Sequence, residues 1–317
     1  GTNVGTNLSK SPYLNSFKAI KIITGGNIES IKKQYLEGVL DLEKNLQLVN
    51  SKYNPRFAHI SFDDVNFSLQ DLINNSASYT SIFQNPFFEL LKTLNTNYGA
   101  IFSCYCFNEN TAGYNISNLP TKFITELKSV SSWLKFGFHS LNSSTNYASG
   151  VGTTVKSHYN NFINAIVPFA GIDSVDRVVR LQNFAGNLET CLALRDTNCG
   201  IIGLLTADDT RNSYYLTTAQ STYINSHERI NDVSNFLQFF KTETRFESSS
   251  SILSFLTNLK TIQNANLSTE LVMFTHEYEL YPSAGGSIIS SMNTKLETVC
   301  NWVKQNGYVW DYPMNRI

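Results

Sequence analysis

The sequence lacks an excess of charge of either sign. Its 24 Lys and Arg residues nearly balance 25 Asp and Glu residues, which gives a formal net charge of −1 and a pI near 6.6. Proteins that bind nucleic acid or an anionic membrane surface usually carry a basic patch, so neither partner is expected. The sequence also has no uninterrupted apolar run near the ~20 residues of a membrane-spanning helix, so we expect no transmembrane segment.

Cysteine is scarce as well. The cysteines form an odd-numbered set without the spacing of a zinc ribbon: Cys104, Cys106, Cys191, Cys199 and Cys300. Cys104 and Cys106 lie two positions apart in an apolar run, so in a strand they would share one face as buried thiols. Cys191 and Cys199 could form a disulfide, but nothing in the sequence requires it, and the redox compartment stays open.

No internal repeat and no convincing linker divides the 317 residues. With 42% hydrophobic residues the chain can build one large core, so we expect a single domain over residues 17–317 after a loose polar tail at residues 1–16. The chain begins with Gly1 rather than Met, which we interpret as a processed end from which an export signal was removed. This favours a location in the cell envelope and leaves a cytoplasmic one open. The oligomeric state stays open too.

Apolar runs of strand length alternate with helical patterns along the chain. Strands are predicted at residues 19–24, 57–62, 100–107, 134–139, 175–184, 200–206, 236–247, 271–276 and 308–310. Helices are predicted at residues 28–48, 83–94, 120–133, 153–170, 188–196, 252–259 and 288–303, with another opening at Phe67. Residues 210–235 read as an irregular polar loop. Alternating strands and helices indicate parallel β/α units, so we expect an α/β fold of the barrel kind.

Several predicted strands end in residues that can perform chemistry. These residues are Asp63, Asp64, His139, Arg180, Asp208, Asp209 and His276. In a barrel the carboxyl ends of the strands meet at one mouth, so these side chains would converge. Two adjacent carboxylates repel each other and resist burial, and a bound cation or a shared proton would offset that repulsion. A helix cap or a turn is the alternative role for the first pair.

Four short segments within residues 55–280 have the order and approximate spacing of a known enzyme family: Phe62-Asp63-Asp64, Phe138-His139-Ser140, Arg177 with Arg180, and Thr275-His276. On these segments the chain resembles the polysaccharide deacetylases, a family of carbohydrate esterases, in a divergent branch associated with cell-surface polysaccharide synthesis. The resemblance implies a distorted (β/α) barrel of about seven strands. It also implies metal-dependent removal of an acetyl group from an N-acetylated sugar of a bacterial surface polysaccharide or its precursor.

By the same resemblance, five residues have expected roles. Asp63 would be the general base, and Arg180 would orient it. Asp64 and His139 would hold a divalent metal, with zinc as the expected ion, and His276 would protonate the leaving amine. The chemistry is consistent, because a metal polarises the amide carbonyl while a carboxylate takes the proton from water. A histidine has a pKa suited to the proton donation.

One metal ligand of the family is missing. Its second histidine would fall at position 143, where the chain has Ser143, a poor zinc ligand. If residues 140–152 are an insertion, His158 in the following helix could fill that position. Two histidines, one carboxylate and an open position are an ordinary catalytic zinc set. Surface exposure or ordinary packing is the alternative for His158.

The remaining candidates concern the substrate. Asp208, Asp209 and Tyr214 are expected to contact sugar hydroxyls or rings, with a turn and ordinary packing as the alternatives. Arg245 and Glu247 extend the same predicted mouth.

Two other functions stay open at this point. A degenerate relative would bind glycan without turning it over, because Ser143 breaks the metal motif. A barrel glycoside hydrolase would pair Asp63 or Asp64 with Asp208 or Asp209. The sequence names neither the sugar nor the polymer.

Overall fold

The computed structural model describes residues 56–264 and 269–317. The predictions for residues 1–16, 19–24 and 28–48 lie outside the described residues. In chain order the strands are β1 (Phe57–Val65), β2 (Phe102–Phe107), β3 (Leu134–Ser140), β4 (Val178–Val179), β5 (Gly203–Leu205), β6 (Arg229–Asp232), β7 (Leu237–Phe240), β8 (Thr244–Arg245), β9 (Glu270–His276) and β10 (Val309–Trp310).

Helices alternate with most of these strands. They are α1 (Phe67–Asn74), α2 (Pro86–Tyr98), α3 (Ile124–Ser129), α4 (Gly152–Ala170), α5 (Leu188–Arg195), α6 (Thr218–His227), α7 (Ile252–Asn264), α8 (Glu277–Leu280) and α9 (Ser290–Gln305). Pro86 at the first turn of α2 and Gly171 after α4 lie where the sequence places a helix start and a helix stop.

Parallel strands form the centre of the fold. One sheet has the strand order β3–β2–β1–β9–β8, and β10 pairs with the first residues of β1. Every residue of β2 is buried, and in β1 only Asp64 is partly exposed. A parallel sheet is covered on both faces, which explains why these strands appear as continuous apolar runs in the sequence.

The two faces of β1 have different tasks. Phe62 packs on the outer face against Phe87 of α2, with ring centroids 5.0 Å apart. Ser61 and Asp63 alternate with Phe62 and lie on the inner face, where both contact the buried Arg180. The outer face therefore holds the helices, and the inner face builds the polar layer beneath the strand ends.

A second sheet has the order β4–β5–β7–β6, in which only the β6–β7 pair is antiparallel. An isolated parallel bridge between Phe136 and Val175 connects β3 to the segment before β4. On the other side β7 leads into β8, where Glu243 N donates to Val272 O at 2.8 Å. The α/β class with parallel strands is confirmed. The hydrogen bonds of the described strands form two sheets rather than one continuous closed barrel.

Some predicted segments differ from the structure. The strand expected at residues 175–184 is reduced to β4, because Asn183 and Phe184 take positive φ values of 56° and 55°. Residues 236–247 form two short strands, β7 and β8, and the helix expected at 120–133 shortens to α3 after a 3₁₀ turn. Residues 210–235 contain α6 and β6. The capping box of Thr217 and Gln220 starts α6, which has too few apolar residues to give a helical spacing.

All five cysteines are free thiols. Cys104 and Cys106 are buried in β2, as predicted, while Cys191 and Cys199 form no disulfide. Within residues 56–264 and 269–317, no helix is long and apolar enough to cross a membrane.

A buried carboxylate connects the end of β9 to the start of α1. Glu277 accepts backbone N–H bonds from Asn66 and Phe67 at Oε2 (2.8 and 2.7 Å) and from Ser68 at Oε1 (2.8 Å). The first N–H groups of a helix have no partner within the helix, so this side chain supplies one from 209 or more positions away. The contact fixes the loop after β1 to the residue that follows His276.

We predict that Glu277→Gln destabilises the fold by about 2 kcal/mol, because the amide has one acceptor oxygen and no charge for three N–H donors. Burial raises the pKa of Glu277 to about 7, so chemical denaturation is measured at pH 8, where the carboxylate is ionised. Glu279→Gln, in the same short helix but without these bonds, is the matched control, with an expected change within about 0.5 kcal/mol. Equal stability of the two variants would contradict the capping role.

Candidate active site

The end of β1 brings two adjacent carboxylates to neighbouring partners. In a regular strand Asp63 and Asp64 would point to opposite faces. Here the register with β2 shifts between Phe62 and Val65, and Asp64 has a φ of 60°. Aspartate tolerates this left-handed conformation better than most residues, and the Asn66 side chain donates to the Asp64 carbonyl oxygen at 2.6 Å. Because of this irregularity, both carboxylates contact residues of the same inner layer. Asp63 contacts Arg180, and Asp64 contacts His139.

A fully buried guanidinium lies beneath Asp63. Arg180 donates from Nη1 to Asp63 Oδ1 (2.9 Å) and Ser61 Oγ (2.8 Å), and from Nη2 to Thr242 Oγ1 (3.1 Å). Its Cζ lies 4.1 Å from the ring centroid of Phe274, a cation–π contact. The charge of Arg180 is thus balanced by one carboxylate, whose Oδ1 is held in a fixed direction.

Arg177 does not join this group. Its Nε donates to Gly200 O at 2.7 Å, away from the carboxylates. Of the two arginines three positions apart, only Arg180 contacts Asp63.

His139 faces Asp64 with its Nε2 nitrogen. Its Nδ1 lies 2.5 Å from Arg180 O, and because a carbonyl only accepts, Nδ1 must donate. Its Nε2 then lies 3.1 Å from Asp64 Oδ1, a buried oxygen without a hydrogen-bond donor among the described residues. Burial lowers the pKa of His139, but the attraction of the Asp64 and Asp63 carboxylates and the bond to Arg180 O outweigh burial and raise it above the ordinary value.

The Asp64–His139 pair fits a divalent cation, because a carboxylate oxygen of β1 and an imidazole nitrogen of β3 lie 3.1 Å apart, and both atoms are common metal ligands. Among the described residues, no group of three or more His, Cys, Asp or Glu side chains could hold a metal ion. Ser143 is exposed. His158 is not brought to the pair. Its Nδ1 lies 3.0 Å from Tyr147 Oη, so the ring interacts with the loop that precedes α4. Of the three expected ligands, residues 56–264 and 269–317 bring two together, Asp64 and His139.

The His276 ring is held by the carboxylate of Glu247. Its Nδ1 makes a short hydrogen bond to Glu247 Oε1, and Thr275 Oγ1 donates to Glu247 Oε2 at 2.8 Å. The ring stacks on Tyr278 at a centroid distance of 5.0 Å. Burial lowers the pKa of His276, but the bond to Glu247 and the charges of Asp63 and Asp64 raise it above the ordinary value. His276 is also the register partner of Asp63, so the two residues are neighbours across β1 and β9.

The backbone around Glu247 is held by a lysine that sequence reasoning missed. Lys295 of α9 donates from Nζ to Phe246 O (3.0 Å) and Ser249 O (2.9 Å), on both sides of Glu247. The sequence placed Glu247 near the mouth only in general terms, because its partner His276 lies 29 positions away.

The predicted sugar contacts have partners of their own. Asp208 lies 3.6 Å from Arg245 Nε, and Asp209 pairs with Arg211 Nη2 at 2.7 Å. The Tyr214 hydroxyl donates to a backbone carbonyl of β5 at 2.6 Å. None of these contacts joins them to Asp63 or His276, and their role toward a substrate stays a prediction.

A buried polar network lies deeper in the inner layer. His59 Nε2 is 2.9 Å from Ser103 Oγ, which donates to Asp176 Oδ2 at 2.5 Å. Burial and the charge of Arg180 lower the pKa of His59 to about 3, so its ring is neutral. All three side chains are buried and bond to one another rather than to Asp63 or His276.

No family model and no curated protein matches the sequence. Several solved structures are similar, and each covers 83% of this chain. A peptidoglycan N-acetylglucosamine deacetylase has 12% identity, 88% of its own chain covered and a TM-score of 0.43. A putative polysaccharide deacetylase from Mycobacterium smegmatis has 10% identity, 89% coverage and a TM-score of 0.48. A mutant of a CE4 family pseudoenzyme with restored enzymatic activity has 9% identity, 67% coverage and a TM-score of 0.39.

The structural neighbours are polysaccharide deacetylases. Their identities do not exceed 12% and their TM-scores stay below 0.5, so function is inferred from the contacts of this chain's own residues.

We predict that Glu247→Gln lowers the pKa of His276. Burial by itself raises the pKa of Glu247, but the hydrogen bond from His276 outweighs burial and lowers that pKa below its ordinary value. The pair therefore stabilises the fold at pH values between the lowered pKa of Glu247 and the raised pKa of His276. The part due to His276 is present below its unfolded pKa and is lost as pH rises through its folded pKa. In the variant this loss moves to lower pH, which an NMR titration of the imidazole measures. Glu279→Gln, close to His276 but not bonded to it, should leave the titration unchanged.

Proposed function

We propose that this protein is a metal-dependent carbohydrate N-deacetylase that hydrolyses the acetamide of an N-acetylated sugar in a bacterial surface polysaccharide or its precursor. The observation that carries the proposal is the pairing of Asp63 with His276 on adjacent strands. Each has its own fixed partner, Arg180 for the carboxylate and Glu247 for the imidazole. A base and an acid on either side of one reacting group are what amide hydrolysis needs.

Asp63 is proposed to take a proton from the attacking water. Arg180 binds Oδ1 and leaves the second oxygen of Asp63 for the water. The resulting hydroxide adds to the carbonyl carbon of the acetamide and forms a tetrahedral intermediate with a negatively charged oxygen.

His276 is proposed to supply the proton that the leaving nitrogen needs. Its Nδ1 is bonded to Glu247, so Nε2 is the nitrogen left for the substrate. Proton transfer from His276 accompanies cleavage of the carbon–nitrogen bond, which releases acetate and the free amine of the sugar.

Asp64 and His139 are proposed to hold the metal, with zinc as the expected ion. A bound divalent metal polarises the carbonyl oxygen and lowers the pKa of water at the site. We also propose that the two sheets together form a distorted barrel, which the Phe136–Val175 bridge and the direct passage from β7 to β8 support. Cell-envelope location and the single-domain boundary at residue 17 stay predictions.

The proposed metal ligands are tested by elemental analysis of protein incubated with zinc. We expect about one equivalent in the wild type and loss of the metal in Asp64→Ala and His139→Ala. His158→Ala is the control that keeps the metal, because His158 is bonded to Tyr147. A wild type that binds no zinc, manganese or cobalt would overturn the metal assignment, and loss in His158→Ala would place that residue back in the ligand set.

Activity is tested by acetate release from a pentamer of N-acetylglucosamine. Asp63→Asn and His276→Gln should each lower kcat by at least about 100-fold, the usual contribution of a positioned base or acid. Asp173→Asn, a substitution of the same type at an exposed position, should retain wild-type activity. Because Asp63→Asn leaves the charge of Arg180 without a carboxylate, thermal unfolding is compared in parallel, and His276→Gln gives the independent result. Wild-type levels of activity in both variants would sink the proposed roles.

A glycan-binding protein without turnover is the second candidate. The incomplete ligand set favours it, since Ser143 stands where the family has a metal ligand and the described residues bring no third ligand to Asp64 and His139. Binding of the pentamer by metal-loaded wild type without acetate release would select this function.

A further inference from the structure

A lysine of α9 binds the backbone on both sides of Glu247. Lys295 Nζ donates to Phe246 O at 3.0 Å and to Ser249 O at 2.9 Å. The two bonds cross 49 and 46 positions of sequence, so they are tertiary contacts rather than part of a local turn. One half-buried ammonium group thereby connects the last long helix to the segment that carries the partner of His276.

The segment that carries Glu247 is a short turn. Phe246–Ser248 forms a 3₁₀ helix of three residues without a side-chain cap at its first residue, and helices of this kind have weaker hydrogen-bond geometry than α-helices. The buried Phe246 ring stacks on Phe255, with ring centroids 4.8 Å apart, which fixes the start of the turn. Carbonyls at the end of a helical turn lack partners within it, and a cation is favourable there. Lys295 supplies that cation and restrains the end of the turn as well as its start.

The charge of Lys295 also concerns Glu247. Burial lowers the pKa of Lys295, and the charges of Glu247 and Glu279 act in the opposite direction. Because the attraction between two charges is mutual, the ammonium favours the ionised form of Glu247. The ionised carboxylate is the form that accepts a hydrogen bond at both oxygens.

Glu247 needs a fixed backbone because it serves two consecutive residues of a strand. Its Oε1 is bonded to His276 Nδ1, and its Oε2 accepts from Thr275 Oγ1 at 2.8 Å. Both partners lie in β9, which pairs with β1 and β8 and is therefore held on each side. A carboxylate can keep both bonds only while its own backbone stays at one distance from that strand. A displaced turn would release the His276 ring first, since the ring can rotate about its side-chain bonds.

We propose that Lys295 is a positioning residue for His276 and acts through the carboxylate of Glu247. The inference rests on the proposed function for the reaction in which His276 serves as the acid. Lys295 fixes the turn, and Glu247 then holds Nδ1 of the imidazole, which leaves Nε2 for the leaving nitrogen. The helix α9 thus contributes to proton transfer without contact with the reacting atoms.

The test is an NMR titration of the His276 imidazole in Lys295→Met, with the signal assigned by its loss in His276→Gln. Methionine keeps an unbranched side chain but has no donor, so the bond between Glu247 and His276 weakens. We expect the pKa of His276 to fall by about half of the fall found in Glu247→Gln. Lys304→Met is the matched control on α9, because Lys304 donates to a carbonyl of α2, Asn97 O at 3.2 Å. It should leave the titration unchanged.

Lys295→Gln, which keeps a neutral donor, is the second variant and should show a smaller fall in the same direction. Circular dichroism checks that both variants fold. A pKa of His276 that stays unchanged would make Lys295 a structural residue only and would overturn the proposal. A raised pKa would overturn it as well, because loss of a nearby positive charge without loss of position favours the charged imidazole.

Acetate release separates this inference from the proposed function. In an active enzyme, Lys295→Met should lower kcat about 10-fold and leave KM unchanged, because the substrate contacts stay in place. If the wild type releases no acetate but the pKa of His276 falls in Lys295→Met, the positioning stands and the deacetylase proposal falls. If the wild type releases acetate and Lys295→Met changes neither the pKa nor kcat, the positioning falls and the deacetylase proposal stands.

Discussion

The buried guanidinium of Arg180 is the interaction on which the inner layer depends. An isolated charge in a protein interior is strongly unfavourable, so the surrounding residues must supply a carboxylate, hydroxyl acceptors and an aromatic face. Those partners come from β1, the segment before β8, and β9, elements far apart in the chain. The same residue orients Asp63 with its side chain and His139 with its carbonyl oxygen. Arg180 thus connects the proposed base to the proposed metal-binding pair.

Local irregularity adapts this layer for chemistry. The register shift after Phe62 and the positive φ of Asp64 let two consecutive carboxylates serve different partners. Glu277 then anchors the loop after β1 through three backbone N–H groups, and it does so from the residue next to His276. A change in either loop would therefore reach both the proposed base, Asp63, and the proposed acid, His276. The strain at Asp64 persists because these partners hold it from several sides.

Two histidine–carboxylate pairs lie on either side of Asp63. His276 and Glu247 form an ion pair on one side of Asp63, while the Asp64–His139 pair lies on the other.

The sequence alone determined the α/β class, the central strands and the residue types at their ends. Parallel strands buried on both faces give apolar runs whatever their neighbours are, and Asp63, Asp64, His139 and His276 are visible where those runs stop. Only the tertiary structure decided which of these residues have partners. The pairing of His276 with Glu247, the bonds of Arg180 to Ser61 and Asp63, and the division into two sheets all depend on contacts between distant segments. Local spacing carries no record of such contacts, because they follow from packing and from the need to neutralise buried charge.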